Sequence, residues 1–159
     1  MQKITYLSDR RPTIGSCSMR QFIRHPTGIP IEVCNSEQRK YTKKHIYNVS
    51  LGGLAFDFDQ PMPLGKIVSI KISYVQPVFE TKARVVWCSK QEEGYELGVE
   101  FLDAEDAFKG RMVEQVCYIE NYKNDVLRTE GRRLTIEEAA QEWITKFASN
   151  FPDFGISHN

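Results

Sequence analysis

Along the chain, the order of apolar and polar positions changes twice, and each change predicts a different kind of structure. Up to about residue 28 no period is sustained. The first twenty residues carry Pro12, Gly15 and the serines Ser8, Ser16 and Ser18, and they read as a flexible arm. From Ile29 the pattern alternates. Ile29, Ile31 and Val33 share one face of an expected strand over 29–34, followed by a polar, basic hairpin region from Asn35 to Lys44. Further strands are expected over 45–50, 54–59, 67–74, 78–88 and 95–101, separated by Gly52-Gly53, the Pro61–Gly65 turn and other polar breaks. Such a run of short strands predicts a small closed or sandwiched β architecture, and closure also removes exposed sheet edges.

After Asp103 the period lengthens from 2 to 3.6. Phe108, Met112, Val116 and Ile119, with Val113 and Cys117 beside them, mark an amphipathic helix that runs toward Arg128 and stops at Gly131. Thr135-Ile136-Glu137-Glu138 is a capping box, in which threonine and glutamate side chains satisfy free N–H groups at a helix start. Ile136, Ala139, Ala140, Trp143, Ile144, Phe147, Ala148 and Phe151 follow at helical spacing, and Pro152 ends the run. The wide apolar face of this second helix has two readings: packing on the rest of the fold, or docking of a protein partner or a second copy of the chain.

Composition narrows the picture. With 159 residues, 41% hydrophobic and 26% charged, the chain can bury a core as one domain with an appendage. No apolar run approaches the ~20 residues of a membrane span, and the polar N-terminus lacks the apolar stretch of a signal peptide. A cytoplasmic location without membrane insertion is therefore expected. Cys17, Cys34, Cys88 and Cys117 are scattered without a C-x-x-C pair, which favours small, partly buried thiols over a metal site. Formal net charge is zero, yet residues 1–50 hold nine Lys/Arg against Asp9, Glu32 and Glu37, so an anion-facing N-terminal third is expected.

Two short motifs carry candidate chemistry. Arg20 and Arg24 form an R-x-x-x-R, which aims two guanidiniums to one side in either an extended or a helical segment. Forked donors of that kind suit phosphates and the O6/N7 edge of guanine. The second motif is Asn48-Val49-Ser50-Leu51-Gly52-Gly53. Two residues apart, Asn48 and Ser50 are expected on one strand face. Asn48 could accept from guanine N–H groups, Ser50 could support a phosphate or neighbouring backbone, and Gly53 leaves room for close backbone approach. Each motif alone fits an ordinary arm or strand end.

Together they do more. An R-x-x-x-R on an arm followed by [D/N]-x-S-x-x-G resembles the PilZ family, and Val85-Val86-Trp87 with Gly94-Tyr95-Glu96-Leu97-Gly98-Val99-Glu100-Phe101 resembles that family's closing strands. The resemblance covers about Met19 to Leu102. It implies a six-stranded antiparallel β-barrel over 20–103, preceded by the arm over 1–19 and followed by two C-terminal helices over 104–159. It also implies cyclic di-GMP as ligand, with no cofactor. Arg20 and Arg24 would hold phosphates and a guanine edge, Asn48 and Ser50 would read a guanine, and Gly52 and Gly53 would permit contact. Trp87, taken to share a strand face with Ala83 and Val85, would be either a stacking platform or a core residue. Asn48 departs from the aspartate of many members and offers one acceptor oxygen instead of two. Met19 is not basic, which points to one ligand per site. His25 could line the anion site, while Arg10 and Arg11 are expected free on the arm.

Nothing at motif spacing suggests an enzyme: no Ser/His/Asp or Cys/His grouping, no P-loop, no paired carboxylates. A signalling receptor acting through a protein partner is the leading reading. An adaptor of the same fold that binds no nucleotide is the alternative. A barrel binding nucleic acid polymer fits less well, because it would want aromatics interleaved with basic residues on the strands.

Overall fold

The computed structural model describes residues 22–35, 37 and 39–147. Arg20, the arm before it, and Ala148, Phe151 and Pro152 lie outside the described residues. Seven strands precede two helices: β1 (His25–Pro26), β2 (Pro30–Asn35), β3 (Lys40–Val49), β4 (Gly53–Phe58), β5 (Ile67–Ile72), β6 (Phe79–Lys90), β7 (Tyr95–Leu102), α1 (Asp106–Glu130) and α2 (Ile136–Phe147). All pairings are antiparallel. The order β2-β5-β6-β7-β4 is closed by β3, which pairs with both β2 and β4, so six strands form a barrel. β1 is an extra strand of two residues against the end of β3.

β3 is longer than its apolar pattern suggests, because it changes partners along its length. Lys40 to His45 pair with β2, and Ile46 to Val49 pair with β4. The expected hairpin region over 35–44 therefore shrinks to a tight turn. Arg39 takes a left-handed φ of 52°, and its N–H donates to the Asn35 carbonyl at 3.0 Å. Lys44 explains the discrepancy. Its side chain is only 11% exposed and its ammonium pairs with Asp59 at 2.8 Å, above the Phe58 ring. A residue counted as polar spends its aliphatic stem on the barrel end.

Inward residues of every barrel strand, among them Ile31, Ile46, Phe56, Ile70, Val85 and Leu97, are fully or almost fully buried. Met112, Val113, Val116 and Ile119 of α1 join the same apolar cluster. Gln115 sits among them at 0% exposure. Its Oε1 accepts the Gln76 N–H at 2.8 Å and its Nε2 donates to the Gln76 carbonyl, so one side chain seats α1 on the β5–β6 connection. Gly131 ends α1 with a left-handed φ of 71°, a conformation that costs glycine little. The expected capping box starts α2. The Thr135 N–H donates to Glu138 Oε1 at 2.8 Å, and the Glu138 N–H to Thr135 Oγ1 at 3.0 Å. Ala139, Ala140 and Trp143 are buried against this cluster, and the Trp143 ring stacks on Tyr118 at 6.1 Å between centroids. Among the described residues, then, the apolar face of α2 packs on the fold, with Phe147 left 45% exposed. No described helix is long and apolar enough to cross a membrane.

Candidate functional site

A strand that alternates cannot present two successive core residues, so a bulge is the way to turn a side chain outward without breaking the barrel. Two strands do this. In β3, Ile46 pairs with Phe56 and Asn48 with Ala55, leaving Tyr47 as the extra residue. In β6, Val85 pairs with Val99 and Trp87 with Gly98, leaving Val86 extra. Ile46 and Val49 point into the core, as do Val85 and Cys88, while Asn48 and Trp87 are only partly buried. The expectation that Trp87 shares a face with Ala83 and Val85 is therefore corrected: the bulge at Val86 reverses the alternation and puts the indole outside. Burial of Cys88, the inward neighbour of Trp87, pushes its thiol above the usual range, as burial also does for Cys117.

The two bulges stand at opposite ends of one cross-strand row. Asn48 pairs with Ala55, Ala55 with Gly98, and Gly98 with Trp87. Small residues occupy the middle and larger ones the ends. One step along the strands, on the same face, Gly53 pairs with Glu100 and Glu100 with Arg84. These rows floor an open cavity of about 290 Å³ that is also lined by Phe22, Arg24, Ser50 and Gly52. The structure thus gathers Arg24, Asn48, Ser50, Gly52, Gly53 and Trp87 around one space; Arg20 lies outside the described residues.

The glycines are fixed by geometry. A Cβ on Gly98 would lie 2.2 Å from the Trp87 indole, so the ring lies flat over that residue. At Gly53 it would meet the Val99 carbonyl oxygen at 1.9 Å, so here the close approach is between β4 and β7. At Gly52 it would meet the Phe22 ring at 2.7 Å. Ser50 lies beyond the end of β3, not on a strand face with Asn48. Its Oγ accepts from Gly52 N–H at 3.1 Å and from Gly53 N–H at 3.3 Å, and it donates to the Gly53 carbonyl at 3.2 Å. Of the two uses expected for this hydroxyl, the described structure makes the backbone one: it staples the β3–β4 turn.

The segment carrying Arg24 runs from this turn to α1. Phe22 rests on Gly52, and β1 pairs His25 with Val49 and Pro26 with Asn48. His25 does not line the cavity. Just downstream, Glu120 of α1 accepts from Thr27 Oγ1 at 2.6 Å and from Gly28 N–H at 3.1 Å. Three residues after Arg24, the chain is tied to the first helix.

Of the expected basic third, Arg24 lines this cavity, Arg39, Lys40, Lys43 and Lys44 do not, and Lys3, Arg10, Arg11 and Arg20 lie outside the described residues. Lys44 is neutralised by Asp59 and stands with Lys40 and Lys43 in the first half of β3, away from Asn48. The sequence reading missed a different charged pair. Arg84 Nε donates to Glu100 Oε1 at 2.8 Å beside the cavity; the R-V-V-W and G-V-E-F alternation could have revealed it, had the register been known. Among the described residues no cluster of His, Cys, Asp or Glu is arranged to hold a metal ion.

Comparisons with known proteins agree with this architecture. The model of the PilZ domain family matches residues 18–118. No curated protein matches the sequence. Among solved structures, the PilZ domain of YcgR from Escherichia coli with c-di-GMP is similar at TM-score 0.55 and 16% identity, covering 67% of this chain and 97% of that one. The inhibitor of motility MotI/DgrA of Bacillus subtilis is similar at TM-score 0.53 and 16% identity, covering 65% of this chain and 52% of that one. YcgR from Escherichia coli in complex with c-di-GMP is similar at TM-score 0.53 and 16% identity, covering 71% of this chain and 50% of its own length. The chain thus spans about half the length of the last two, and at these identities the likeness is one of fold.

Proposed function

The chain belongs to the PilZ domain family, and from that premise we propose that it is a bacterial cytoplasmic receptor for cyclic di-GMP that relays ligand binding to a protein partner. One observation carries the reading: Arg24, Asn48, Ser50, Gly52 and Gly53 from the two motifs, and Trp87 from the family resemblance, line a single cavity. Each has a physical task there. Arg24, joined by Arg20 from the arm, supplies forked donors to the phosphates. Trp87 offers an indole face on which a purine stacks, an interaction worth about 1–3 kcal/mol per base. Asn48, at the other end of the same row, accepts from a guanine N–H. Ser50, Gly52 and Gly53 hold the turn that sets the depth of the floor. At about 290 Å³ the cavity is at the low end for ligand pockets, roughly 300–1,000 Å³. It suits one base held against the barrel, with the rest of the dinucleotide covered by the arm.

Relay follows from connectivity. Closure of the arm on ligand pulls on β1, and β1 leads within one residue to Thr27, which is bonded to Glu120 of α1. Ligand-dependent movement of α1 and α2 then changes the surface presented to a partner. Control of motility or of polysaccharide export is the output in view.

The test is calorimetric titration of cyclic di-GMP into the wild type, Arg20→Ala and Arg24→Ala, with GTP as control. Micromolar or tighter binding, about −8 kcal/mol or better, is expected for the wild type with one ligand per chain. Either arginine variant loses at least about tenfold, since hydrogen bonds to charged groups contribute about 1.5–3 kcal/mol. An absence of heat together with an unshifted melting temperature would sink the receptor reading in favour of a nucleotide-independent adaptor.

A further inference from the structure

Asn48 leaves a recognition problem open. Guanine presents two donors on one edge, the ring N1–H and the exocyclic N2–H, and a carboxamide offers a single acceptor oxygen. A second acceptor has to come from elsewhere if guanine is to be told from other purines. The floor of the cavity supplies a candidate outside both motifs. Glu100 pairs across the sheet with Gly53 on one side and Arg84 on the other, so its Gly53 flank is vacant of side chain where the cavity opens. Two positions back on the same face is Gly98, which the Trp87 indole covers. Residues two apart on a strand are ~6.8 Å apart, a separation that sets the carboxylate beside the edge of the stacking platform. Asn48 lies at the far end of the row that contains Trp87.

A carboxylate near a ligand with two phosphates would ordinarily repel it. Here Arg84 removes that objection. Its Nε and Nη2 both donate to Glu100 Oε1, and no bond from a described residue is made to Oε2. The ion pair is formally neutral, orients the carboxylate, and leaves an acceptor oxygen for a ligand. The Glu100 side chain is 44% exposed, so a base can reach it.

Resting on the receptor reading above, we propose that Glu100, held by Arg84, is a guanine-specificity residue whose carboxylate accepts the 2-amino N–H of the base stacked on Trp87, while Asn48 takes N1–H. A base without the 2-amino group leaves that carboxylate unmatched, and discrimination follows from the unpaired acceptor.

Cyclic di-GMP and cyclic di-IMP, which differ only in the 2-amino groups, are titrated into the wild type and Glu100→Gln. The wild type is expected to prefer cyclic di-GMP roughly 10- to 100-fold, the range of a charge-assisted hydrogen bond. In Glu100→Gln the preference collapses, because cyclic di-GMP weakens while cyclic di-IMP stays within about threefold. Equal affinity of the wild type for the two dinucleotides overturns the proposal and needs no variant. So does a variant that binds both more tightly, which would make Glu100 a mere repulsive charge, or one that loses both alike, which would make it structural. A wild type that binds neither dinucleotide overturns the receptor reading itself and this proposal with it, whereas binding with unchanged selectivity in Glu100→Gln overturns Glu100 alone.

Discussion

Gln115 is a polar residue at 0% exposure on the core face of α1, and replacing it tests how the helix is held to the barrel. In Gln115→Ala both bonds to Gln76 disappear. The Gln76 carbonyl keeps a donor, since Arg111 Nε reaches it at 2.8 Å, but the Gln76 N–H loses its partner, a cost of about 1–3 kcal/mol. Truncation also leaves a void, and removing a side chain of this size from a core costs a further 1–2 kcal/mol, about the low end for large-to-small changes. The total is about 3 kcal/mol. Gln115→Leu refills the volume and isolates the polar part, about 1–3 kcal/mol. Urea unfolding followed by circular dichroism measures both, with the midpoint moving and the slope unchanged. At about 2–4 °C per kcal/mol for a chain of this size, the alanine variant melts roughly 6–12 °C below the wild type. If both variants unfold within about 0.5 kcal/mol of the wild type, the bonds to Gln76 contribute nothing net. The helix would then be held by its apolar face alone.

Other substitutions separate the site from its frame. Gly98→Ala puts a methyl where the Trp87 indole lies, 2.2 Å away; ligand affinity measured by calorimetry should fall at least about tenfold while the barrel stays folded. Gly110→Ala is the opposite case, a helical glycine with nothing within 4 Å of the added carbon, and should raise stability in thermal melts by about 0.5–1 kcal/mol. Thr135→Ala breaks the capping box and should lower stability by about 1 kcal/mol in the same melts. The Glu142 carboxyl is lowered from 4.5 to about 2 by hydrogen bonds from the Arg132 guanidinium and the Tyr122 hydroxyl. A carboxyl depressed on folding stabilises above its unfolded value, and that stabilisation is lost as pH falls through the folded one. Docking of α2, read from Trp143 fluorescence, should therefore weaken between pH 4.5 and about 2, and Glu142→Gln should flatten that dependence.

The order of elements was legible in the sequence because alternation and helical periodicity are local. Strands over 29–34, 54–59, 67–74, 78–88 and 95–101, and both helix starts, fall close to the observed elements. What misled was side-chain chemistry read as position. Lys40 to Lys44 look like a solvated hairpin, yet they are the first half of β3, since Lys44 pairs with Asp59 over the Phe58 ring. β1 carries no signal, because two residues held only by the end of β3 have no period to show. Gln115 was invisible for the opposite reason: nothing in a helical pattern tells that a polar residue among Met112, Val116 and Ile119 finds both its partners on one distant backbone.

That Arg24, Asn48, Ser50, Gly52, Gly53 and Trp87 belong to one region was legible, while the way the barrel brings them around one cavity was not. Motif spacing selects Asn48 and the family resemblance selects Trp87, but neither says how the two come to face outward. Strict alternation sends Asn48 inward with Ile46, and Trp87 inward with Val85. Only the extra residues Tyr47 and Val86, each unpaired across its strand, reverse that parity. Bulges depend on the register of a neighbouring strand, so they belong to the pairing and not to either segment. The same holds for Gly98, whose lack of a side chain matters because Trp87 of the next strand lies on it. Glu100 is the sharpest instance: along β7 it is one more outward charge, and only registry with Arg84 and Gly53 makes it an oriented acceptor beside an open floor. A barrel can build a cavity on its outer wall in this way. Two bulges turn the large residues out, while Leu54, Val85, Cys88 and Val99 continue to fill the core beneath them. Deleting Val86 would remove the extra residue and leave Trp87 directly after Val85, still outward, with Cys88 still inward. The variant should therefore stay folded and keep the platform, whereas Trp87→Ala should cost the platform alone.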